Sequence, residues 1–432
     1  MQSNLKNSGV KVLKWIFTAL IFWPAFHSIS SGNDFDIFIR AAYALHDSGE
    51  LYTKPFVNGL YYYYSPFFAM LLQPFVFLRE WHFPKESMLP GISYALVAVK
   101  IIWSTLTVIM IVRIIKIVSN EFAIEPSRKR NIFWIILMLL CYRWFWMNLW
   151  YGQLTIFLLW VILESFLGKL QKGWHSGLLM GLGINVKVIP LFFMGKYGLD
   201  LNYKAIINVL IWLMLFIFIP FIFYDFDYIS KQTLSWLNTI NPLQQKHVIT
   251  VGEGGFVDVG ALVVKYFTSY KIPTEPTVCI TELSHNSIFI ITQIMRLLLI
   301  VVVAFLYLKI KKSKGIHHAN FLSIAVFCAS IPLIFPHQRD YSFALLIPSV
   351  VYMVYTFMHN RYSMHPIMSG LTFVALIMLG SMIFFEFFSL DFRYWMLGVR
   401  LQGLGGLLYF ICFSVFVFGY TKKVKLEGIN QL

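Results

Sequence analysis

Charge is scarce in this sequence: only 13% of its 432 residues are Asp, Glu, Lys or Arg, whereas 58% are hydrophobic. A soluble globular domain carries about a quarter charged residues, so the composition excludes that class. Acidic residues are the scarcer sign, with 20 Asp and Glu against 35 Lys and Arg. The four cysteines lie mostly within apolar runs, so the sequence indicates neither a disulfide framework nor a cysteine zinc site.

The excess of basic residues gives a net charge of +15, which in a soluble protein would suggest nucleic-acid binding. Here the Lys and Arg residues fall in short loops between apolar runs, an arrangement that orients helices in a membrane. We therefore predict a protein embedded in a lipid bilayer, with no nucleic-acid partner. The first apolar run, residues 10–30, has no small-residue cleavage site after it and is predicted to remain as a membrane helix.

The apolar runs predict an all-α polytopic membrane protein, because a helix needs about 20 apolar residues to cross the hydrocarbon core. Two of the runs, 174–188 and 189–200, are short and are expected to be tilted or broken helices that meet at the polar stretch 185–190, which contains Lys187. No internal repeat or linker is visible, so residues 1–432 are predicted to form a single domain. About twelve transmembrane helices are expected, at residues 10–30, 90–112, 131–149, 152–168, 174–188, 189–200, 205–223, 286–308, 318–335, 341–357, 366–388 and 399–420.

Residues 66–78 are apolar but too few to span, and they include Pro66 and Pro74. We predict short interfacial helices here, within a first outer loop of residues 31–89, because the basic loops then lie in the cytoplasm. The chain is thus expected to be a multi-pass protein of the cell membrane with both termini cytoplasmic. Its active site is expected to face the outside or the periplasm, with the long outer loop 224–285 as a lid.

Two carboxylates, Asp34 and Asp36, follow the first apolar run. A carboxylate beside the membrane can act as a general base that takes a proton from an acceptor hydroxyl. The alternative is a helix cap, in which Asn33 or Asp34 accepts hydrogen bonds at the start of a helix expected over 35–47. An i, i+2 spacing places the two carboxylates on different helix faces, so they are not expected to share one task. We predict Asp34 as the base and Asp36 as a substrate-binding residue.

Tyr64 and Gln153 are predicted to bind substrate. Tyr64 ends a run of four tyrosines, whose rings can stack on sugar faces or form an aromatic belt at the lipid headgroups. Gln153 follows Gly152 at a tight corner between two spans. Its amide can both donate and accept hydrogen bonds, which suits sugar hydroxyls, although the corner can equally be a plain turn with a helix start.

Several cationic side chains are candidates for binding the donor phosphate, and one histidine is a candidate for binding the substrate. Lys187 lies between two half-helices, where an intramembrane charge is costly and indicates function, unless it extends to the outer surface. Arg339 can match phosphate oxygens in a bidentate way or pair with Asp340 in a turn, and His337 can steer the substrate. Arg40 is either a phosphate contact or an interfacial anchor. Arg393 and Arg400 are further phosphate candidates.

These stretches together resemble glycosyltransferase family 87, which belongs to the GT-C superfold of integral-membrane enzymes. Four stretches match in order: the first outer loop that begins at Asp34, the Tyr-x-Pro segment at 64–66, the Gly-Gln turn at 152–155, and the Lys-x-x-Pro stretch at 187–190. Thr155 stands where the family has Asn, Val188 where it has Pro, and Phe38 where it often has Tyr. The late histidine of the family matches His337 by its position before an apolar span.

The resemblance implies an enzyme that moves a sugar, such as mannose, from a polyprenyl-phosphate donor to a lipid or glycan acceptor with inversion. Asp34 would be the base, and Lys187, Arg339 and Arg40 would stabilise the leaving phosphate. Many enzymes of the superfold use a divalent metal, and Asp34 with Asp36 could join such a site. The chain shows no second acidic cluster, so no required metal or other cofactor is predicted.

Two other classes of membrane protein remain open at this point. A transporter or flippase of a lipid-linked sugar would also be polytopic with a cationic cavity, although repeated halves would then be expected. A polymerase or ligase of surface polysaccharide would also expose an acidic outer loop. Donor consumption separates these classes, because a transporter changes no covalent bond.

Overall fold

The structure is a computed structural model, and it describes most of the chain. The described residues are 23–24, 27–28, 34–57, 59–82, 92–123, 128–241, 243–244, 255–269, 276, 278–313, 315–359, 362–380 and 389–429. Most of the predicted span 10–30, together with Asn33 and the Gly252-Glu253-Gly254 part of the predicted lid, lies outside these residues.

The described residues are helical and contain no β-strand, only isolated bridges. Short 3₁₀ helices occupy Gln73–Leu78, Ile189–Phe193 and Asp340–Leu346. The α-helices are, in chain order, α1 Phe35–His46, α2 Pro66–Leu71, α3 Tyr94–Glu121, α4 Arg128–Trp150, α5 Thr155–Phe166, α6 Trp174–Val186, α7 Met194–Leu199, α8 Tyr203–Phe218, α9 Pro220–Phe223, α10 Phe226–Ile240, α11 Val259–Phe267, α12 His285–Lys312, α13 Ala319–Ile334, α14 Ile347–Met358, α15 Pro366–Met378, α16 Leu390–Gly398 and α17 Leu401–Ile429.

Six of the described helical segments are long and apolar enough to cross a membrane. Each of them overlaps a predicted span, although Tyr94–Glu121 continues past the predicted end at residue 112. The predicted class of all-α polytopic membrane protein is confirmed. Three shorter apolar helices, α5, α13 and α15, coincide with three further predicted spans. The total of twelve stays a prediction. The six long segments are Tyr94–Glu121, Arg130–Trp150, Tyr203–Phe223, His285–Lys312, Asp340–Met358 and Leu401–Leu426.

The chain breaks helical structure at Lys187, as the short apolar runs on either side predict. Helix α6 ends at Val186, Lys187 is extended (φ −149°, ψ 127°), and a 3₁₀ helix begins at Ile189. Pro190 follows within that 3₁₀ helix, where its missing N–H costs little. The break therefore leaves Lys187 at the end of α6 rather than inside a continuous helix.

By internal packing the chain divides into two compact units. The first comprises Met1–Ile115, Phe145–Ser165 and Lys169–Ile240, and the second comprises Lys116–Trp144, Phe166–Gly168 and Asn241–Leu432. In the first unit the core surrounds α1, whose apolar residues recur three and four positions apart. The buried residues there include Phe35, Phe38, Ala42, Leu45, Tyr62, Leu154 and Ile229.

Two glycines allow α6 and α8 of the first unit to pack closely. Gly177 and Gly181, one turn apart, face Asn208 and Trp212, and a Cβ atom added at Gly181 would lie 2.8 Å from the Trp212 Cβ. Small residues at this spacing let membrane helices approach backbone to backbone. This contact fixes the position of α6, which Lys187 follows directly.

Gly181→Ala is expected to lower the thermal midpoint of the protein, because the added methyl overpacks the α6–α8 contact at a cost of about 1–3 kcal/mol. Thermal unfolding in detergent measures it. The matched control is Gly370→Ala in α15, where an added Cβ meets no atom within 4 Å. That control should melt at or slightly above the wild-type temperature, because alanine is the better helix former. Equal melting of both variants would contradict the close packing.

Candidate active site

The carboxylate of Asp34 does not cap the helix that it precedes. Asp34 is the residue before α1, yet its side chain makes no capping hydrogen bond to that helix. Instead, Gln153 Nε2 donates to Asp34 Oδ2 at 2.5 Å across 119 residues of sequence. The capping alternative for Asp34 is therefore wrong, and its side chain is held from outside its own helix.

A tight turn between α4 and α5 brings Gln153 to Asp34. Gly152 adopts a left-handed conformation (φ +61°), and a Cβ there would lie 2.9 Å from the Phe35 Cβ, so glycine suits this position both by conformation and by space. The Gln153 backbone N–H donates to the Asn148 carbonyl at 2.8 Å. With Gln153 only 1% exposed, its amide is fixed in one orientation towards the carboxylate.

Lys187 joins this group from the break after α6. Its ammonium interacts electrostatically with Asp34, and its Nζ lies 5.8 Å from the centroid of the Tyr64 ring. The first unit therefore brings together Asp34, Gln153, Lys187 and Tyr64, which are four of the residues predicted from sequence. A carboxylate, an amide, an ammonium and an aromatic ring in one place can orient a hydroxyl and attract an anionic leaving group. Their individual roles stay predictions.

A hydrogen-bonded pair that the sequence did not reveal supports Tyr64. The Ser65 hydroxyl donates to Asn185 Oδ1 at 2.6 Å, and it accepts from the Phe68 N–H at 3.2 Å as the cap of α2. Asn185 is fully buried and lies two residues before Lys187. The pair ties the Tyr64 segment to the end of α6. The Ser-Pro pair at a helix start was the available signal for Ser65, whereas nothing in the sequence singled out Asn185.

Two of the four tyrosines in the run are buried within the protein and not on its surface. Tyr62 and Tyr64 are both buried. The centroid of the Tyr62 ring lies 5.8 Å from that of Tyr52 and 5.6 Å from that of Tyr64. The Tyr52 hydroxyl donates to the Tyr64 carbonyl at 2.7 Å. Within this run of four, Tyr61 is exposed and Tyr63 is half-buried. These contacts hold the Tyr64 ring in a fixed position beside Lys187.

Asp36 is engaged in an ion pair. Lys100 Nζ in α3 lies 2.7 Å from Asp36 Oδ1, and Lys100 is only 1% exposed. A second pair, Arg113 with Glu164, joins α3 to α5 with the Arg113 Nη2 atom 2.9 Å from each carboxylate oxygen. The predicted span 90–112 contains Lys100, to which sequence reasoning gave no role although a lone charge within an apolar span was the signal. That span ended before Arg113, which was expected in the basic loop that follows and lies instead within α3. The substrate-binding role of Asp36 stays a prediction.

Helix α10 fastens part of the predicted lid to the first outer loop. The Tyr228 hydroxyl donates to the Gly49 carbonyl at 2.7 Å, and Gln232 Oε1 accepts from the Leu51 N–H at 3.2 Å. Between them, Lys231 Nζ lies 2.5 Å from Glu50 Oε1, and this hydrogen bond lowers the pKa of the Glu50 carboxyl. Three consecutive loop residues are thus held by one face of α10.

His337 and Arg339 belong to the second unit. His337 has a left-handed backbone (φ +57°), and its ring meets the Phe256 ring edge-on at 5.3 Å. The backbones of Arg339 and Phe256 form an isolated antiparallel β-bridge. The guanidinium carbon of Arg339 also lies over the Phe256 ring, 5.5 Å from its centroid. The Asp340 carboxylate accepts from the Tyr341 N–H at 2.9 Å. The predicted roles of His337 and Arg339 stay predictions.

Two further expectations concern Arg40 and a metal. Arg40 lies on the exposed side of α1, and its role as a phosphate contact stays a prediction. Among the residues that the structure describes, no group of three or more His, Cys, Asp or Glu side chains could hold a metal ion. The expectation that no metal or other cofactor is required also stays a prediction.

Comparison with known proteins places these features in a family. The sequence model of glycosyltransferase family 87 matches residues 62–336, a range that begins after Asp34 and ends before His337. A polyprenol-phosphate-mannose-dependent alpha-(1-2)-phosphatidylinositol mannoside mannosyltransferase of Mycobacterium tuberculosis is 22% identical over 231 residues, covering 48% of this chain and 50% of that protein. The chain thus spans about half the length of this curated relative. No solved structure matches the chain.

The apolar helices and the family match together define an integral-membrane glycosyltransferase. Because the matched residues cover more than half of the sequence, the chain belongs to glycosyltransferase family 87. The predicted membership of this family is therefore confirmed. Tyr64, Gln153 and Lys187 lie within the matched range, and their roles stay predictions.

Proposed function

We propose that this chain transfers a sugar, specifically mannose, from a polyprenyl-phosphate donor to a hydroxyl group of a lipid or glycan acceptor. The observation that carries the proposal is the Asp34 carboxylate, which is held by Gln153 and faces Lys187 instead of capping its helix. The donor class is supported by the Mycobacterium tuberculosis relative, which is a polyprenol-phosphate-mannose-dependent mannosyltransferase.

In the proposed reaction the proton of the acceptor hydroxyl moves to Asp34 while its oxygen attacks the anomeric carbon of the sugar. The attack comes from the face opposite the phosphate, so the bond between the anomeric carbon and the phosphate oxygen breaks and the configuration inverts. Polyprenyl phosphate leaves with the bonding electrons. The amide of Gln153 orients the carboxylate, and the ammonium of Lys187 stabilises the charge that develops on the leaving phosphate.

We propose that this reaction takes place on the outer face of the cell membrane, with both termini in the cytoplasm. The distribution of basic residues supports this orientation, since the last turns of α3, the first turn of α4 and the end of α12 are rich in Lys and Arg. Asp34, the turn at Gln153 and the break at Lys187 then lie on the outer side together.

The orientation predicts how single cysteines react. Cys279 is partly exposed in the loop before α12, whereas Cys141, Cys328 and Cys412 are buried. A membrane-impermeant maleimide is expected to label wild-type protein on intact cells through Cys279 alone, and Cys279→Ser should abolish that labelling. Adding Asn120→Cys to Cys279→Ser should restore labelling only after the membrane is permeabilised, because residue 120 ends α3 on the cytoplasmic side. Labelling of residue 120 from outside would overturn the proposed topology.

A transfer assay tests the proposed reaction. Purified protein in nanodiscs would receive polyprenyl-phosphate mannose with a labelled sugar and a lipid extract of the host as the acceptor source. We expect a labelled product together with released polyprenyl phosphate. If folded protein binds a panel of polyprenyl-phosphate sugars yet changes no covalent bond in any of them, the chain is a transporter of lipid-linked sugars and the proposal fails.

A further inference from the structure

An arginine in the second unit is buried with its guanidinium unsatisfied. Arg296 lies in α12 and is 5% exposed, and among the described residues its Nε, Nη1 and Nη2 atoms have no hydrogen-bond partner. Its nearest counter-charge is Asp258, with Nη2 and Oδ1 3.8 Å apart. The pair of Arg113 and Glu164 in the first unit differs, because Arg113 makes two bonds of 2.9 Å to the buried Glu164.

Asp258 already has other hydrogen-bond donors. Its Oδ1 atom accepts from the N–H groups of Gly260 at 2.9 Å and Ala261 at 3.4 Å, and so caps α11. Burial raises the pKa of the Asp258 carboxyl to about 6. Asp258 therefore balances the charge of Arg296 at a distance and leaves the donor face of the guanidinium open.

A second buried polar atom without a described partner lies on the same helix. Thr292 lies one turn before Arg296 on α12, and its hydroxyl has no described partner. Residues four positions apart lie on the same face of a helix, so Thr292 and Arg296 point the same way.

Buried polar atoms in native proteins are nearly always hydrogen-bonded, so a cluster of unsatisfied ones indicates a bound partner. The open groups favour an oxyanion, because the N–H groups of the Arg296 guanidinium are donors and the Thr292 hydroxyl can donate as well. A guanidinium fork matches the oxygens of a phosphate bidentately. An ionisable residue within a membrane-spanning helix is also more often functional than incidental.

We propose that Arg296 and Thr292 form an oxyanion site in the second unit that binds the phosphate group of an isoprenoid lipid phosphate. The phosphate takes the open donors of the Arg296 guanidinium and the Thr292 hydroxyl, while Asp258 keeps its cap on α11. The lipid as the source of the phosphate rests on the proposed function. The oxyanion chemistry itself rests on the unsatisfied groups alone.

The test is equilibrium binding to the purified full-length protein in nanodiscs, with farnesyl phosphate, inorganic phosphate and farnesol as probes. Wild-type protein is expected to bind farnesyl phosphate more tightly than inorganic phosphate, and farnesol weakly. Arg296→Lys keeps the charge opposite Asp258 but loses the fork, and it should weaken farnesyl phosphate binding about tenfold, as expected for one hydrogen bond to a charged group. Thr292→Val, which keeps the shape of the side chain, should weaken binding several-fold.

The matched control is Arg113→Lys, because the Arg113 guanidinium is already hydrogen-bonded to Glu164. This variant should lower the thermal midpoint and leave the dissociation constant for farnesyl phosphate unchanged. Wild-type affinity in both Arg296→Lys and Thr292→Val, or no binding of either phosphate by wild type, overturns the proposal. Equal affinity for inorganic and farnesyl phosphate, lost in Arg296→Lys, keeps the oxyanion site but overturns the lipid as its ligand. Binding that depends on Arg296 without any sugar transfer would instead refute the proposed function and leave this site standing.

Discussion

Asp34→Asn is expected to abolish detectable sugar transfer while the protein remains folded. Asparagine has the shape of aspartate and can still accept the hydrogen bond that Gln153 Nε2 donates, so the site should keep its geometry. It cannot take the proton of the acceptor hydroxyl, and loss of a general base lowers rates by about 10²–10⁴-fold. The measurement is kcat/KM in the transfer assay, with the thermal midpoint recorded alongside.

The matched control for this variant is Asp36→Asn, two residues further on. It leaves the buried Lys100 without its carboxylate, so we expect a lower thermal midpoint, since breaking a buried ion pair costs about 3–5 kcal/mol. Transfer per folded molecule should fall much less than in Asp34→Asn. The double variant Asp36→Asn with Lys100→Met removes both charges and should recover part of the stability. If the folded fraction of Asp36→Asn were as inactive as Asp34→Asn, Asp34 would not be the sole base.

Lys187→Gln is expected to lower kcat/KM for a polyprenyl-phosphate sugar by about 10²-fold, because one electrostatic stabiliser of the developing phosphate charge is lost. Glutamine keeps much of the side chain and its packing against Tyr64, so the thermal midpoint should change little. The charge-matched control is Lys204→Gln on the exposed side of α8, which should transfer sugar at the wild-type rate. Unchanged kcat/KM in Lys187→Gln would remove this lysine from the donor site.

Much of the membrane architecture could be predicted because a segment that crosses the lipid must be apolar, and hydropathy measures this directly. Long apolar runs such as 205–223 and 286–308 became long helices, since a membrane span must satisfy its own backbone hydrogen bonds. The break at Lys187 was also readable, from two runs each too short to span and from the proline that follows. Helix ends and the number of spans were less determined, because α5, α13 and α15 are shorter than a full crossing.

The candidate site was predictable residue by residue but not as a set of contacts. Asp34, Gln153 and Lys187 stood out because polar groups at the ends of apolar runs are rare in such a sequence. Their contacts join residues more than a hundred positions apart, and a single sequence carries no periodicity that reports such pairs. For the same reason the sequence did not predict the hydrogen bond between Ser65 and Asn185 or the ion pair between Asp36 and Lys100. It also could not distinguish the buried tyrosines from an aromatic belt.

The fastening of α10 to Gly49, Glu50 and Leu51 has a consequence for any effort to change what this enzyme accepts. Two of the three bonds use backbone atoms of the loop, so they constrain its path more than its side chains. A chimera that grafts α10 from a distant homologue would need Tyr228 and Gln232, or the corresponding loop, to come with it. The segments 47–57 and 226–240 therefore need to be exchanged together, although they lie far apart in the sequence.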